Sequence, residues 1–309
     1  MREITLEELL EAGCHFGHQV TRQNPKAREF IFEARDNIHI IDLAKTKEGL
    51  EEAGSYIKEL AAKGGSLIIV GTKRQAHTIV EEEIKRYKEA MATINNNQDN
   101  PRLFFVTSHW KGGTLTNFTE VSKNYKTLKD LTERLHSEEE RAKYTKKEMG
   151  LWDKDRQKLE ELYGGISEMK RIPDALFIID THLEHLAVRE AIATGIKTVG
   201  IVDTNADPFI IDYPIPANDD AIGSLKLLVS YIMSAWIEGT KQLNEKKEEV
   251  PQKTVKNQEK EINKAQRDIS IEKTQKVKVK KEITKKSNKK EKEASKNDKS
   301  ESTKSQKTA

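Results

Sequence analysis

Cys14, His15 and His18 fall within five residues, in the stretch GCHFGHQV, and Cys14 is the chain's one cysteine. A thiol beside two imidazoles suggests a nucleophile with its base, or part of a metal site. A cysteine nucleophile needs a base and an oriented third group, and nothing else in the chain completes a recognised set. A closed zinc site takes four ligands, usually paired Cys or His, and one thiol falls short of that. His15 and His18, three apart, share a helical face if the first helix runs on through them, capping its end or packing Phe16 into the domain. The competing expectation joins His18 to Asp180 and Asp203 in a pocket for zinc, because nitrogen–oxygen sites accept one imidazole and two carboxylates.

Other chemistry-bearing residues stand where apolar runs end. Gly71-Thr72-Lys73-Arg74 leads from a strand into a helix, and backbone N–H groups there, beside Lys73 and Arg74, suit a phosphate. Spacing alone supports a turn glycine with two solvated basic residues equally well. Neither G-x-x-x-x-G-K-[ST] nor G-x-G-x-x-G occurs. Farther on, Trp110 and Lys111 precede two glycines in SHWKGGTLTN, a place to stack a base and touch a phosphate, or else a core tryptophan and a turn. Asp180 and Asp203, the latter in VDTNADP, end two further runs as metal ligands, acid and base, or turn formers. Arg22, Lys26, Arg28 and Arg35 line a segment that reads as an irregular basic loop.

These residues need elements to hold them. Short β-rich runs occur at Ile38–Ile41, Leu67–Val70, Leu103–Val106, Ala175–Ile179 and Val199–Val202. They do not alternate with polar residues, which suits parallel strands covered on both faces. Between them lie helical patterns: Leu50, Ala53, Ile57 and Leu60, stopped by Gly64-Gly65; Ala76, Ile79, Val80, Ile84 and Tyr87; a third from about Leu183 to Gly195. A last helix takes Asn218 as N-cap and shows a stripe of Ile222, Leu225, Val229, Ile232 and Trp236. Strand–helix–strand repetition predicts a doubly wound parallel α/β sheet. Residues 117–164 break the rhythm with two long helical patterns, the second opened by the capping box Thr145-Lys146-Lys147-Glu148. The pattern predicts an antiparallel helical hairpin with a turn around Ser137–Tyr144, inserted between the third and fourth strands of a sheet domain at 1–116 and 165–240.

Charge divides the chain. Residues 241–309 hold 22 Lys+Arg against 12 Asp+Glu, a net of +10, while residues 1–240 hold 32 against 39, a net of −7. With few large apolar side chains, the tail is expected to be disordered, a basic arm that raises affinity for a polyanion. The acidic balance of the body confines any RNA contact to one local basic face. One cysteine fits a reducing cytosol, no apolar leader opens the chain, and no apolar run approaches a membrane span. The expectation is a cytoplasmic protein without a membrane.

Taken in order, GCHFGHQVTRQNPKAREFIFEARDNIHIIDLAKT, VGTKRQA, HWKGGTLTN, PDALFIIDTHLEHLAVREA, GIVDTNADP and DYPIPANDDAIGSLKLL resemble the family of bacterial-type small-subunit ribosomal protein S-two over about residues 4–238. The resemblance implies a flavodoxin-like doubly wound sheet with an inserted antiparallel coiled-coil hairpin and no catalytic activity. It also implies a structural place in the small ribosomal subunit, between head and body, with small-subunit rRNA and neighbouring ribosomal proteins as partners, and recruitment of ribosomal protein S-one. No cofactor is required and no small-molecule substrate is implied, with zinc the one candidate ion. In that family HFGH is a signature and the residue before it varies, which leaves Cys14 as a small buried side chain. Departures are local: Lys111 stands where the family usually has leucine, Ala217 replaces a glycine, Phe209-Ile210 replace a more polar pair, and MATINNNQDNPR looks inserted. Two other classes compete. A transferase acting on a phosphorylated sugar or nucleotide would need a glycine-rich loop after the acids of VDTNADP, which is missing; a coiled-coil module without RNA leaves the basic residues of Arg22–Arg35 without a role.

Overall fold

The computed structural model describes residues 2–92, 102–137 and 143–246. The insertion at MATINNNQDNPR, the hairpin turn and the tail beyond residue 246 lie wholly or mostly outside the described residues.

Helix α1 (Leu6–Glu11) starts at a capping box in which Thr5 accepts from the Glu8 N–H and the Glu8 carboxylate accepts from the Thr5 N–H. It stops before the histidines. His18 lies on strand β1 (Phe16–Gln19), so the shared helical face expected for His15 and His18 does not form. A short 3-10 helix (Pro25–Phe30) leads into β2 (Ile31–Arg35), which turns back through Asp36 and Asn37, both at positive φ, into β3 (Ile38–Ile41). Asp and Asn tolerate that left-handed backbone, and a two-residue turn of this hand suits a hairpin. These strands form an antiparallel sheet in the order β1-β3-β2. The run IHII is therefore not the first strand of the parallel sheet. Four apolar-leaning residues report that a strand is half covered, not which sheet it joins.

Helix α2 (Leu43–Ala62) starts at Asp42, whose side chain accepts from the Ala44 N–H, and buries Leu50, Ala53 and Ile57 as their spacing requires. Strand β4 (Ser66–Val70), helix α3 (Arg74–Ala92) and strand β5 (Arg102–Val106) follow. Beyond a helical insertion come β6 (Ala175–Ile178), α6 (His185–Thr194), β7 (Lys197–Val202), β8 (Tyr213–Pro216) and a last helix, α7, whose described body covers residues 222–245. Strands β4 to β8 form a second sheet, all parallel, in the order β5-β4-β6-β7-β8. Counted along this sheet the order is 2-1-3-4-5, that of flavodoxin-like doubly wound folds.

Alternate residues of the same strands feed two separate cores. Leu67, Ile69, Phe177, Val199 and Ile201 pack with α2, α3 and α7; Ile68, Val70, Leu176, Ile178 and Val202 pack with α6 and the base of the insertion. Burial on both faces explains why the runs lack polar alternation. Helix α7 buries Leu225, Val229, Ile232 and Trp236 but leaves Ile222 exposed, and it runs past residue 240 with Thr240 and Asn244 buried. The body therefore extends beyond the expected boundary.

The insertion consists of α4 (Phe118–His136) and α5 (Lys146–Tyr163), the latter opened by the capping box of Thr145 and Glu148. The two helices touch: the Tyr125 and Tyr163 rings lie 5.7 Å apart, and Arg134 stands 5.9 Å over Trp152. Val121, Tyr125 and Leu128 are buried, whereas Met149, Trp152 and Leu159 are only half-buried. Among the described residues no helix is long and apolar enough to cross a membrane.

Candidate nucleic-acid interface

The basic segment is held to the body by the loop after β7. The His18 N–H donates to the Thr204 hydroxyl at 2.9 Å, and the Asn24 N–H donates to the Thr204 carbonyl at 2.8 Å. The Asn218 amide donates to the Phe16 carbonyl at 2.6 Å, and the Lys26 ammonium meets Asp207 at 2.6 Å. Gly17 permits this close approach, since a Cβ there would stand 2.7 Å from the Thr204 methyl. The acids and polar residues of VDTNADP thus serve as a jig for the chain's N-terminal segment. That use accounts for the motif without a phosphorylated substrate.

On this support Arg22, Arg28 and Arg35 are exposed, and no ion pair or hydrogen bond holds their guanidinium groups among the described residues. Lys26 is exposed at its end although paired with Asp207. The segment is not the irregular loop its sequence suggests, because Pro25 opens a 3-10 turn and β2 carries Arg35. Arg74, at the start of α3, is exposed and likewise without a partner among the described residues.

Lys73 faces the other way. Its ammonium lies 2.9 Å from Asp180, 2.7 Å from Asp219 and 2.7 Å from Asp220, and it donates to the Asp219 carbonyl at 3.0 Å. This corrects its expected role as a phosphate seat: three carboxylates already hold the charge. Burial disfavours the charged amine, but the surrounding acids outweigh it and raise the Lys73 pKa. The cluster sits at the carboxyl ends of β4, β6, β7 and β8, the crevice where ligands meet open parallel sheets. Thr72 bridges the same crevice to Glu184.

Asp219, 1 % exposed, is pushed up to about 7 by burial and by the neighbouring Asp180 and Asp203, against the pull of Lys73. His18 Nδ1 lies 3.2 Å from Asp203 and its Nε2 lies 3.6 Å from Asp220; the Asp203 carboxylate beside the ring raises the imidazole pKa against the effect of burial. His18, Asp203 and Asp219 place one donor atom each within 4.8 Å of one another, a set that suits zinc chemically. Asp219 completes this close set where the sequence suggests Asp180, although Lys73 pairs with both carboxylates. Asp180 and Asp203 also act as turn formers: Asp180 accepts from the His182 and Leu183 N–H groups, and Asp203 from that of Thr204. Cys14 is fully buried, with its thiol pKa raised by burial, as a small core side chain should be.

Trp110 is 2 % exposed and packs in the second core with Leu115 and Val121. A base cannot reach its ring without opening that core, so the expected stacking role does not hold. Lys111 beside it is half-buried, and nothing among the described residues pairs with its ammonium. Sequence reasoning misses Asp219, Asp220, Thr204 and Glu190, and finds Asn218 only as a helix cap, which it is. Only Glu190 carries a signal, an acid on the face of α6 that buries Ala187, Val188 and Ala191.

Comparison with known proteins gives these features a family context. A sequence profile described as ribosomal protein S2 matches residues 9–239. The chain is 47 % identical over 238 residues to the small ribosomal subunit protein uS2 of Roseiflexus sp. (strain RS-1), covering 77 % of this chain and 85 % of the relative. It is 44 % identical over 241 residues to the small ribosomal subunit protein uS2 of Corynebacterium urealyticum (strain ATCC 43042 / DSM 7109), covering 78 % and 84 %.

Proposed function

The chain belongs to the ribosomal protein S2 family, and from that premise we propose that it is a structural component of the small ribosomal subunit in the bacterial cytoplasm, binding small-subunit rRNA through a basic face. The family is structural, and the chain is not an enzyme. The observation that supports the RNA reading is the docked segment carrying Arg22, Arg28 and Arg35 with no protein partners among the described residues. Exposed guanidinium groups on a rigid support suit phosphates, which take up charge without reading sequence. Lys26, Arg74 and Lys111 extend that face, whereas Lys73 serves inside as counterion to buried acids and Trp110 serves as core.

Within the subunit the protein lies between head and body and supports recruitment of ribosomal protein S-one, as the family resemblance implies. The α4–α5 pair works as a coiled-coil arm, and the basic stretch beyond residue 246 adds affinity for RNA through its net positive charge. Sedimentation of the tagged protein from a lysate tests the assignment. Comigration with small subunits that is lost at high salt is expected; sedimentation away from subunits at every salt concentration overturns it.

Zinc has a second claim on the pocket, carried by the mutual approach of His18, Asp203 and Asp219. Those residues would hold the ion, and Lys73 would compete with it for Asp219. Metal retained through gel filtration and lost in His18→Ala would establish the zinc site; protein free of zinc but equally stable would leave Lys73 as the resident cation.

A further inference from the structure

Glu190 is a buried acid that no function so far uses. It is 5 % exposed on the inner side of α6, with no cation paired to it among the described residues. Its Oε1 accepts from the Gly113 N–H at 2.7 Å; its Oε2 accepts from the Leu115 N–H at 2.9 Å, the Thr116 N–H at 3.3 Å and the Thr116 hydroxyl at 3.4 Å. All four donors belong to one short loop. A carboxylate bound by several backbone N–H groups forms charge-assisted hydrogen bonds, stronger than neutral ones.

That loop joins Lys111, on the proposed interface, to the helical insertion. At its start stands Lys111, whose carbonyl accepts from the Thr114 N–H at 3.2 Å and the Thr114 hydroxyl at 2.6 Å. At its end Asn117 gives way to α4. Gly113, at φ +90°, provides the left-handed residue that lets successive N–H groups converge on one carboxylate. Leu115, 1 % exposed, anchors the loop in the second core beside Trp110. The returning leg of the arm is fixed separately, by the Ser108 hydroxyl donating to the Glu161 carbonyl at 2.6 Å.

We propose that Glu190 is a positioning residue, a latch that fixes the presentation of Lys111 to RNA and the departure of α4 from the sheet. The proposal rests on the RNA reading for its functional half and on the hydrogen-bond geometry alone for its conformational half. Glu190→Gln separates the two. Glutamine is nearly isosteric, but it keeps one acceptor oxygen and turns an amide NH2 toward N–H donors, so it cannot satisfy Gly113 and Thr116 together. It also removes a negative charge. A simple charge effect would tighten binding to a polyanion, whereas loss of the latch weakens it, so the two accounts differ in sign.

The experiment uses the full chain and a transcript of small-subunit rRNA, with Lys111→Gln, Glu190→Gln, Glu190→Asp and the Lys111→Gln/Glu190→Gln double variant. In Glu190→Gln, hydrogen exchange at Gly113, or else at Leu115 and Thr116, should quicken by roughly tenfold or more, the scale of a missing charge-assisted bond, while Ile178 and Ile201 in the sheet stay protected. RNA affinity should fall in Glu190→Gln and fall less in Glu190→Asp, and the double variant should lose less than the two single losses multiplied. Unchanged exchange at Gly113, Leu115 and Thr116 alike overturns the latch. Quickened exchange with RNA affinity equal to or above that of the parent overturns the positioning role. A parent that binds the transcript at no salt concentration refutes the RNA reading instead, and the exchange rates still judge the latch.

Discussion

Lys73→Met tests whether the cluster at the strand ends is internal support or RNA surface. The ammonium meets three carboxylates at 2.7–2.9 Å, but they do not count equally. Asp220 has a side chain 54 % exposed, and water takes over its charge. Asp180 and Asp219, at 9 % and 1 %, have no such recourse and repel each other once the amine is gone. Removing one partner of a buried ion pair costs about 3–5 kcal/mol, which for a body of this size lowers the melting temperature by roughly 10 °C. The loss should depend on pH. Burial already pushes the Asp219 carboxyl up to about 7, and without Lys73 it rises further. An acid whose folded pKa exceeds its unfolded value of about 3.9 takes up protons on folding, so stability falls as pH climbs between the two values. The deficit of the variant is therefore smallest near about pH 5, where Asp219 is protonated, and largest above about pH 8. The assay is thermal unfolding of variant and parent across that range, with rRNA affinity measured in parallel below the melting temperature. Melting unchanged at every pH, together with a clear loss of RNA affinity, would refute the reasoning and turn Lys73 outward.

Four more outcomes follow from the same structure. Neutralising Arg22, Arg28 and Arg35 together should leave melting unchanged and reduce the slope of log affinity against log salt by roughly 0.7–0.9 for each phosphate they neutralise; an unchanged slope removes them from the interface. Trp110→Ala should cost about 3–5 kcal/mol in urea unfolding, the usual range for emptying a buried tryptophan, while the folded variant binds RNA as the parent does; weaker binding without destabilisation would restore the stacking role. Deleting residues 247–309 should spare the melting of the body and flatten the salt dependence of RNA binding, and equal slopes would show that the tail does not touch RNA. Deleting from residue 241 instead should destabilise the body, because it removes the helical turn that buries Asn244; equal melting of the two truncations would contradict this.

Much of the sheet is legible in the sequence because burial on both faces leaves a plain mark there. SLIIV, ALFI and KTVGIV are strands in the expected places. Strand β8 is not, since YPIP carries two prolines that cannot donate to a ladder and are tolerated only at a sheet edge, which is where it lies. IHII reads correctly as a strand, but its sheet does not follow from its own residues. The capping boxes of α1 and α5 are local, and the one at Thr145 is readable from four residues. The candidate site is less legible, because its geometry is set by partners far apart in the chain. Lys73 and Asp219 are separated by 146 positions, and no spacing rule shows that one faces the other. Basic residues beside a helix start look alike whether they point to solvent, as Arg74 does, or to buried acids, as Lys73 does.

The seat of the basic segment on Thr204, Asp207 and Asn218 has a consequence in time. The segment is made first, but the side chains that hold it lie 181 to 202 positions later. Synthesis runs from the N-terminus at about 5–20 residues per second, so the arginines emerge on the order of ten seconds before their support exists. Until then the segment can attract RNA only as a loose cation, without fixed spacing. Its shape arrives when β7, β8 and the loop after them have been made, so an interrupted chain never presents the finished face. Competence to join the particle is thereby tied to near-completion of the chain.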